Sequence, residues 1–194
     1  CAIGTRPIDI HLNGLKKLGV EFSFENGFIY GKIKKKLVGN KVNLSFPSVG
    51  ATESILMASS LATGTTVINN AAKEPEIIDL ANCLNKMGAK IYNAGKKSII
   101  IKGVKKLSNS EHTIISDRIV AGSYIILAIM LNKEFVVNNF DPNLLKFPLK
   151  ILKKMGANIK IDNNSVKIFK SKKIISSDIE TGPYPKFPTD LQAQ

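Results

Sequence analysis

One short pattern occurs three times in this chain, and it constrains the fold more than any other feature of the sequence. Residues 15–20, 84–89 and 152–157 each contain a leucine, two polar residues, a leucine or methionine, a glycine and a small apolar residue. The glycines lie 69 and then 68 residues apart, and residues 66–70 resemble residues 135–139 at the same offset. Two independent patterns with one spacing indicate a fold of repeated units.

Each repeat has the same predicted order of helix, strand, helix, strand, strand. Residues 51–62 and 119–131 are apolar around nearly their whole circumference, which predicts helices that are covered on all sides. The second helix, around residues 77–87, has a single apolar stripe and is expected to be half exposed. The predicted strands are 65–69, 90–93, 98–102, 135–139, 158–162 and 165–169. Because helices connect parallel strands, this order predicts an α/β fold.

The sequence before residue 47 predicts further elements, and a later segment predicts a domain boundary. Pro7 can begin a helix over residues 7–18, which ends at Gly19. Apolar and polar residues alternate over residues 20–33 on both sides of a turn at Asn26, which is typical of a β-hairpin. A further strand is expected over residues 42–46. Residues 107–116 are polar and loosely patterned, so we predict a domain boundary there, with one domain over 1–115 and the start of another over 116–194.

Composition narrows the class of protein. The apolar fraction of 44% is enough for a core, and the net charge of +13 comes from lysines scattered over loops and helix ends. No aromatic residues alternate with these lysines as a base-stacking groove requires, although a basic nucleic-acid-binding module stays open as an alternative.

Cys1 and Cys83 are too few and too distant for a disulfide framework, which favours a reducing compartment. The longest apolar run, residues 125–131, is far shorter than the ~20 residues of a membrane span.

Five segments resemble the bacterial UDP-N-acetylglucosamine 1-carboxyvinyltransferases, the enolpyruvyl transferases that catalyse the first committed step of peptidoglycan synthesis. They lie across the whole chain in the expected order, at residues 1–11, 47–53, 70–80, 117–119 and 187–194. The resemblance implies an inside-out α/β barrel of repeated units, with helices in the middle and sheets outside. It also implies that this chain, which starts at a cysteine, is a fragment with pieces of two domains.

The resemblance implies a reaction as well. Family members transfer the enolpyruvyl group of phosphoenolpyruvate to the 3-hydroxyl of UDP-N-acetylglucosamine and release phosphate. These two molecules are therefore the expected partners, with no cofactor, metal, nucleic acid or membrane, in the bacterial cytoplasm and with a monomer favoured. Family residues that bind phosphate lie outside this chain, so we expect the isolated fragment to be inactive.

Two residues match catalytic positions of the family. Cys1 matches a cysteine on a mobile loop that donates a proton, can hold phosphoenolpyruvate covalently and is alkylated by fosfomycin. A thiol suits these tasks because its pKa, ~8.5 when free, responds to neighbouring cations. Asp190 matches the aspartate that is the favoured base for the sugar hydroxyl. Without the resemblance, Cys1 would be an inert thiol and Asp190 a helix cap.

Two segments match the family's sugar-nucleotide site. The first contains Arg6, Pro7, Ile8, Asp9 and Ile10, where the guanidinium could bind a diphosphate. The alternative for Arg6 is a surface charge paired with the nearby aspartate, and His11 is interpreted as a core or surface histidine.

The second segment contains Ser48, Val49 and Gly50 at a helix start, where amides favour anions. The alternative for Ser48 is a helix cap. Asp117 and Glu74 also match positions in or near the cleft, although Glu74 could be a helix-start charge instead.

Some positions depart from the family pattern. Val120 replaces a frequent glutamate, Gly182 an alanine and Tyr184 a histidine. These changes put local contacts in doubt. The shikimate-pathway relative, which shares the barrel and phosphoenolpyruvate, remains an alternative, but that enzyme needs no loop cysteine at the position of Cys1.

Overall fold

The computed structural model describes residues 7–194, so Cys1 and Arg6 lie outside the described residues. The chain forms two compact units, Cys1–Thr113 and Ile114–Gln194.

In its described part, from residue 7 onward, the first unit has three helices and two sheets. Helix α1 (Asp9–Lys17) precedes the hairpin of β1 (Val20–Glu25) and β2 (Phe28–Ile33). The remaining elements are β3 (Lys41–Asn43), α2 (Val49–Ser60), β4 (Thr65–Asn69), α3 (Pro75–Lys86), β5 (Lys90–Tyr92) and β6 (Ser98–Lys102). Their sheet has the order β3-β4-β6-β5, in which β3 and β4 are parallel and the other pairs antiparallel.

The second unit repeats the latter part of this order. It contains α4 (Arg118–Met130), β7 (Phe135–Asn138), a 3-10 turn (Pro142–Leu145), α5 (Lys146–Lys154), β8 (Asn158–Asp162), β9 (Ser165–Phe169) and a second 3-10 turn (Thr189–Leu191). Its sheet has the order β7-β9-β8 with antiparallel pairs. The predicted order of helix, strand, helix, strand, strand is confirmed in both units.

The helices connect strands of the same direction, as the sequence predicts. Helix α2 links the parallel neighbours β3 and β4, whereas α3 links β4 to β5 with the antiparallel β6 between them. The fold is therefore mixed α/β. The sheets of the described residues are open, and they form no closed barrel.

Backbone turns account for much of this regularity. Gly88 and Gly156 follow α3 and α5 with φ of 101° and 100°, a conformation that side chains disfavour. Asn70 and Asn139 follow β4 and β7 with φ of 55° and 53°, in the left-handed region that asparagine tolerates. The repeated sequence thus encodes repeated turns.

Each unit has its own apolar core between sheet and helices. Ile55, Ile68 and Ile101 have no exposed surface in the first unit, and Ile125 and Val166 have none in the second. The prediction that the first helix of each repeat is covered on all sides is wrong for the described chain. Met57 of α2 is 49% exposed and Tyr124 of α4 is 53% exposed, because each sheet and second helix cover only one side. No helix in residues 7–194 is long and apolar enough to cross a membrane.

Candidate functional site

The candidate site begins at the carboxyl ends of β3 and β4. These strands are parallel, so the segments that follow them, residues 44–48 and 70–74, leave the sheet at the same edge. The first leads into α2 and the second into α3. Ligands in α/β folds commonly bind at such an edge, because helix N-termini point there.

Ser48 caps α2, as the alternative interpretation of this residue predicts. Its Oγ accepts a hydrogen bond of 3.3 Å from the amide of Ala51, and its carbonyl accepts one of 3.0 Å from the amide of Thr52. The amides of Val49 and Gly50, at the first two helical positions, have no carbonyl partner within the helix. The helix start therefore keeps donors and a partial positive charge for an anion.

Helix α1 begins at the same edge. A Cβ atom on Gly50 would lie 2.9 Å from Nε2 of His11, so the imidazole packs directly against the glycine backbone. Farther along both helices, the buried Gly14 faces the side chain of Ile55. The two helices therefore run side by side in one direction, and their N-termini lie together.

This arrangement places most of the first predicted binding segment next to the second. Pro7 and Ile8 are exposed, and Ile8 occupies the N-cap position without a side-chain cap. Asp9 lies in the first turn of α1, and Ile10 is half-buried against the core. Because Asp9 is acidic, it complements the positive end of its own helix.

The segment before α3 is tied to the start of α2. Asn70 donates from Nδ2 to the carbonyl of Leu44 at 3.0 Å. The hydroxyl of Thr52 donates to the carbonyl of Ser48 at 2.7 Å and accepts from the amide of Ala72 at 3.1 Å. The starts of α1, α2 and α3 therefore share one edge of the first unit.

Carboxylates border this edge. Burial raises the pKa of Glu53 above its ordinary range, and the negative charge of Glu76 raises it further. Glu74 precedes α3 and accepts a 2.9 Å hydrogen bond from the amide of Lys73 instead of capping the helix. Its position at the helix start agrees with the alternative of a helix-start charge.

The predicted residues of the second unit lie at the start of α4 and near the end of the chain. Asp117 caps α4, since its Oδ1 accepts from the amides of Ile119 and Val120 at 2.8 and 3.0 Å. Asp190 is exposed in the 3-10 turn Thr189–Leu191. The neighbouring Leu191 is buried against Gly122 of α4, which holds this turn in place.

Arg118 is a feature that sequence reasoning missed. It is only 6% exposed, and its guanidinium lies 5.6 Å from the ring centroid of Tyr184. A cation over an aromatic face is stabilised by the ring quadrupole. Tyr184, which stands where the family usually has histidine, therefore provides the aromatic ring that contacts the guanidinium of Arg118.

The structure thus places the start of α1, which contains residues 8–10, beside the start of α2, which contains Ser48, Val49 and Gly50, with His11 packed against Gly50. His11 and Thr52 join them, although the sequence indicated neither. Thr52 lies in the segment 47–53 that resembles the family, but nothing in the sequence indicated its role. Among residues 7–194, no group of three or more His, Cys, Asp or Glu side chains could hold a metal ion.

Comparisons with known proteins identify the family of this chain. A profile of the family described as EPSP synthase (3-phosphoshikimate 1-carboxyvinyltransferase) matches residues 1–194. The UDP-N-acetylglucosamine 1-carboxyvinyltransferase of Fervidobacterium nodosum is 53% identical over 194 residues, which is 100% of this chain and 46% of that protein. The chain belongs to the enolpyruvyl transferase family.

Other relatives give the same result. Proteins of that same name from Prochlorococcus marinus and Buchnera aphidicola are 50% and 49% identical over the whole chain, which covers 43% and 47% of them. The enolpyruvyl transferase chain described here therefore spans about half the length of the curated relatives that it matches.

Solved structures show the fold. The enolpyruvyl transferase NikO from Streptomyces tendae matches with a TM-score of 0.84 at 20% identity, over 96% of this chain and 47% of that one. The EPSP synthase from Acinetobacter baumannii has a TM-score of 0.64 at 23% identity, over 86% of this chain and 40% of that one. Both similarities support a mixed α/β enolpyruvyl transferase fold.

Proposed function

We propose that the protein containing this chain transfers the enolpyruvyl group of phosphoenolpyruvate to the 3-hydroxyl of UDP-N-acetylglucosamine, with release of phosphate. In this reaction the sugar oxygen adds to the enol carbon while the methylene carbon takes a proton. A proton then leaves the new methyl group and the bond to phosphate breaks. The reaction therefore needs an acid, a base and an anion-binding surface.

The convergence of α1, α2 and α3 is the observation that carries this proposal. A diphosphate needs N–H donors and positive potential, and the amides of Val49 and Gly50 at the start of α2 offer both. The neutral hydroxyl of Ser48 caps the helix without adding a competing charge. The relatives at 49–53% identity are named for a substrate that contains such a diphosphate.

The remaining roles follow from the family resemblance. In this proposal Cys1 protonates the methylene carbon and is the target of fosfomycin, and Asp190 takes the proton of the sugar hydroxyl. Arg6 pairs with the phosphates of the nucleotide. The proposed enzyme is a cytoplasmic monomer that acts in cell-wall synthesis. In this proposal the complete protein folds as an inside-out barrel, with a domain boundary near residue 115.

The shikimate-pathway reaction is the second candidate. The family profile that matches the whole chain is described as EPSP synthase, and a solved EPSP synthase shares the fold. However, the relatives of about 50% identity all have the other name. The presence of Cys1 and of the segment Arg6–Asp9 also favours the sugar nucleotide.

One assay separates the two candidates. The full-length protein is incubated with phosphoenolpyruvate and either UDP-N-acetylglucosamine or shikimate 3-phosphate, and phosphate release is measured. We expect release only with the sugar nucleotide, and release only with shikimate 3-phosphate would reverse the assignment. The isolated 194-residue chain is expected to release none.

A second experiment tests Cys1. Mass spectrometry after treatment of the full-length protein with fosfomycin and the sugar nucleotide should find the adduct on Cys1. An adduct on Cys83, or none at all, would remove the proposed proton donor.

A further inference from the structure

Thr52 makes an unusual pair of hydrogen bonds. It lies in the first turns of α2 with no exposed surface, and its hydroxyl donates to the carbonyl of Ser48 at 2.7 Å. Threonine in helices often makes this bond to the preceding turn. The same oxygen also accepts from the amide of Ala72 at 3.1 Å, which lies outside the helix in the segment before α3.

The second bond fixes the distance between two loops. The loop after β3 ends at Ser48, and the loop after β4 contains Ala72 and leads to Glu74. Asn70 joins the same loops at 3.0 Å through the carbonyl of Leu44, but it lies nearer the strand ends. Thr52 is therefore the link closest to the helix starts, where the proposed diphosphate binds.

The amide of Ala72 depends on this hydroxyl. Ala72 has no exposed surface, and a buried N–H without an acceptor is costly. Valine has nearly the shape of threonine but offers no oxygen. With valine at position 52, the segment around Ala72 would have to move until its amide reached water or another acceptor.

We propose that Thr52 is a positioning residue for the sugar-nucleotide site, because it holds the segment 70–74 against the start of α2. This inference rests on the proposed function. Thr52 acts through the backbone of Ser48 and Ala72. Its loss should therefore weaken binding of the sugar nucleotide more than it slows the chemical step.

The chain contains a matched control for this test. Thr66 on β4 is 1% exposed, and its hydroxyl has no hydrogen-bond partner among the described residues. Thr66→Val removes the same atoms from a buried site in the same unit without orphaning an amide. Thr52→Ser keeps the hydroxyl at position 52 and serves as the rescue variant.

The experiment uses the full-length protein with all three variants. Binding of UDP-N-acetylglucosamine is measured by calorimetry, and KM and kcat are measured for both substrates. Thr52→Val should raise the dissociation constant and the KM for the sugar nucleotide about tenfold, the effect of one lost buried hydrogen bond, with a smaller change in kcat. Thr52→Ser and Thr66→Val should stay within about threefold of wild type, because neither orphans the Ala72 amide.

Hydrogen exchange provides a readout that does not depend on catalysis. The peptide that contains Ala72 should exchange faster in Thr52→Val than in Thr66→Val while the rest of the first unit is unchanged. If wild type binds UDP-N-acetylglucosamine and Thr52→Val binds it equally well, the positioning role is wrong and the proposed function stands. If wild type itself does not bind the sugar nucleotide, the proposed function fails and this inference fails with it.

Discussion

The starts of α2 and α4 occupy equivalent places in the two units but carry different chemistry. Ser48 caps α2 with a neutral hydroxyl and a single 3.3 Å bond, whereas Asp117 caps α4 with a carboxylate and bonds of 2.8 and 3.0 Å. The carboxylate uses the amides of Ile119 and Val120 and adds a negative charge. The serine leaves the first amides of α2 and its positive end available.

The difference extends into the helices. At the shared offset of 69 residues, Ala121 stands in place of Thr52 and Gly122 in place of Glu53. Ala121 has no hydroxyl that could join two loops as Thr52 does, and Asp141 caps its own 3-10 turn by accepting from the amide of Asn143. One repeated scaffold thus carries a neutral cap at the helix start of one unit, where we propose that an anion binds, and a charged cap at that of the other.

The largest effect is expected when Ser48 is changed to the residue type found in the second unit. Ser48→Asp should still cap α2, because aspartate is as good a cap as serine. Its carboxylate would repel the diphosphate at close range, so affinity for UDP-N-acetylglucosamine should fall by about a hundredfold or more. Titration calorimetry on the full-length protein measures this directly.

Ser48→Asn is the control for this variant, since it caps equally well without a charge. It should bind within a few-fold of wild type. Equal binding by Ser48→Asp would show that the start of α2 does not face the diphosphate.

Gly50 provides the next largest effect. Unit 2 has Ile119 at the equivalent place, but in unit 1 a Cβ would lie 2.9 Å from Nε2 of His11. Gly50→Ala should therefore lower the free energy of unfolding by about 2 kcal/mol, as overpacking does. The combination His11→Ala with Gly50→Ala should lose less than the two single changes together, as a double-mutant cycle by chemical denaturation would show. Strict additivity would mean that the imidazole does not press on this glycine.

A smaller effect is expected at the cap of α4. Asp117→Ala removes two bonds and should cost about 1 to 2 kcal/mol, whereas Ser48→Ala removes one long bond and should cost less. Hydrogen exchange of peptides that cover each helix start compares the two sites. A larger loss of protection in Ser48→Ala would mean that the serine cap stabilises its helix start more than the aspartate cap does.

The element order was predictable from the sequence because its determinants are local. Apolar spacing marks the helices and strands, and Gly88 and Asn70 occur where the backbone needs left-handed angles. The prediction that α2 is covered on all sides was wrong. The pattern of apolar residues shows which surface of a helix is apolar, but it does not show which element packs on that surface. Met57 is exposed for that reason.

The candidate site was predictable only in part. The starts of α1 and α2, which contain residues 8–10 and 48–50, lie side by side because the two helices pack together, and single-sequence patterns do not show this packing. The partner of Thr52 is the backbone amide of Ala72, and a backbone group leaves no signal in the identity of its residue. The roles of Cys1, Arg6 and Asp190 remain predictions.

The smallest effect concerns Glu53, which has Gly122 as its counterpart. Burial, and then the charge of Glu76, raise the pKa of Glu53 in the folded state. The folded protein therefore binds this proton more tightly than the unfolded chain does. The pKa of an unperturbed glutamate is about 4.3. As the pH rises from this value through the raised pKa of folded Glu53, the free energy of unfolding falls. At still higher pH the loss of stability stays constant.

Glu53→Gln should remove this loss and stabilise the protein at neutral pH by only about 0.5 kcal/mol, because solvent screens a partly exposed carboxylate, with little effect near pH 4. The measurement is the melting temperature of the full-length variant and wild type between pH 4 and pH 8. Because Gly122 carries no charge, the second unit makes no equivalent contribution. A gain in stability for Glu53→Gln that is largest at low pH would contradict the assigned direction of the pKa shift.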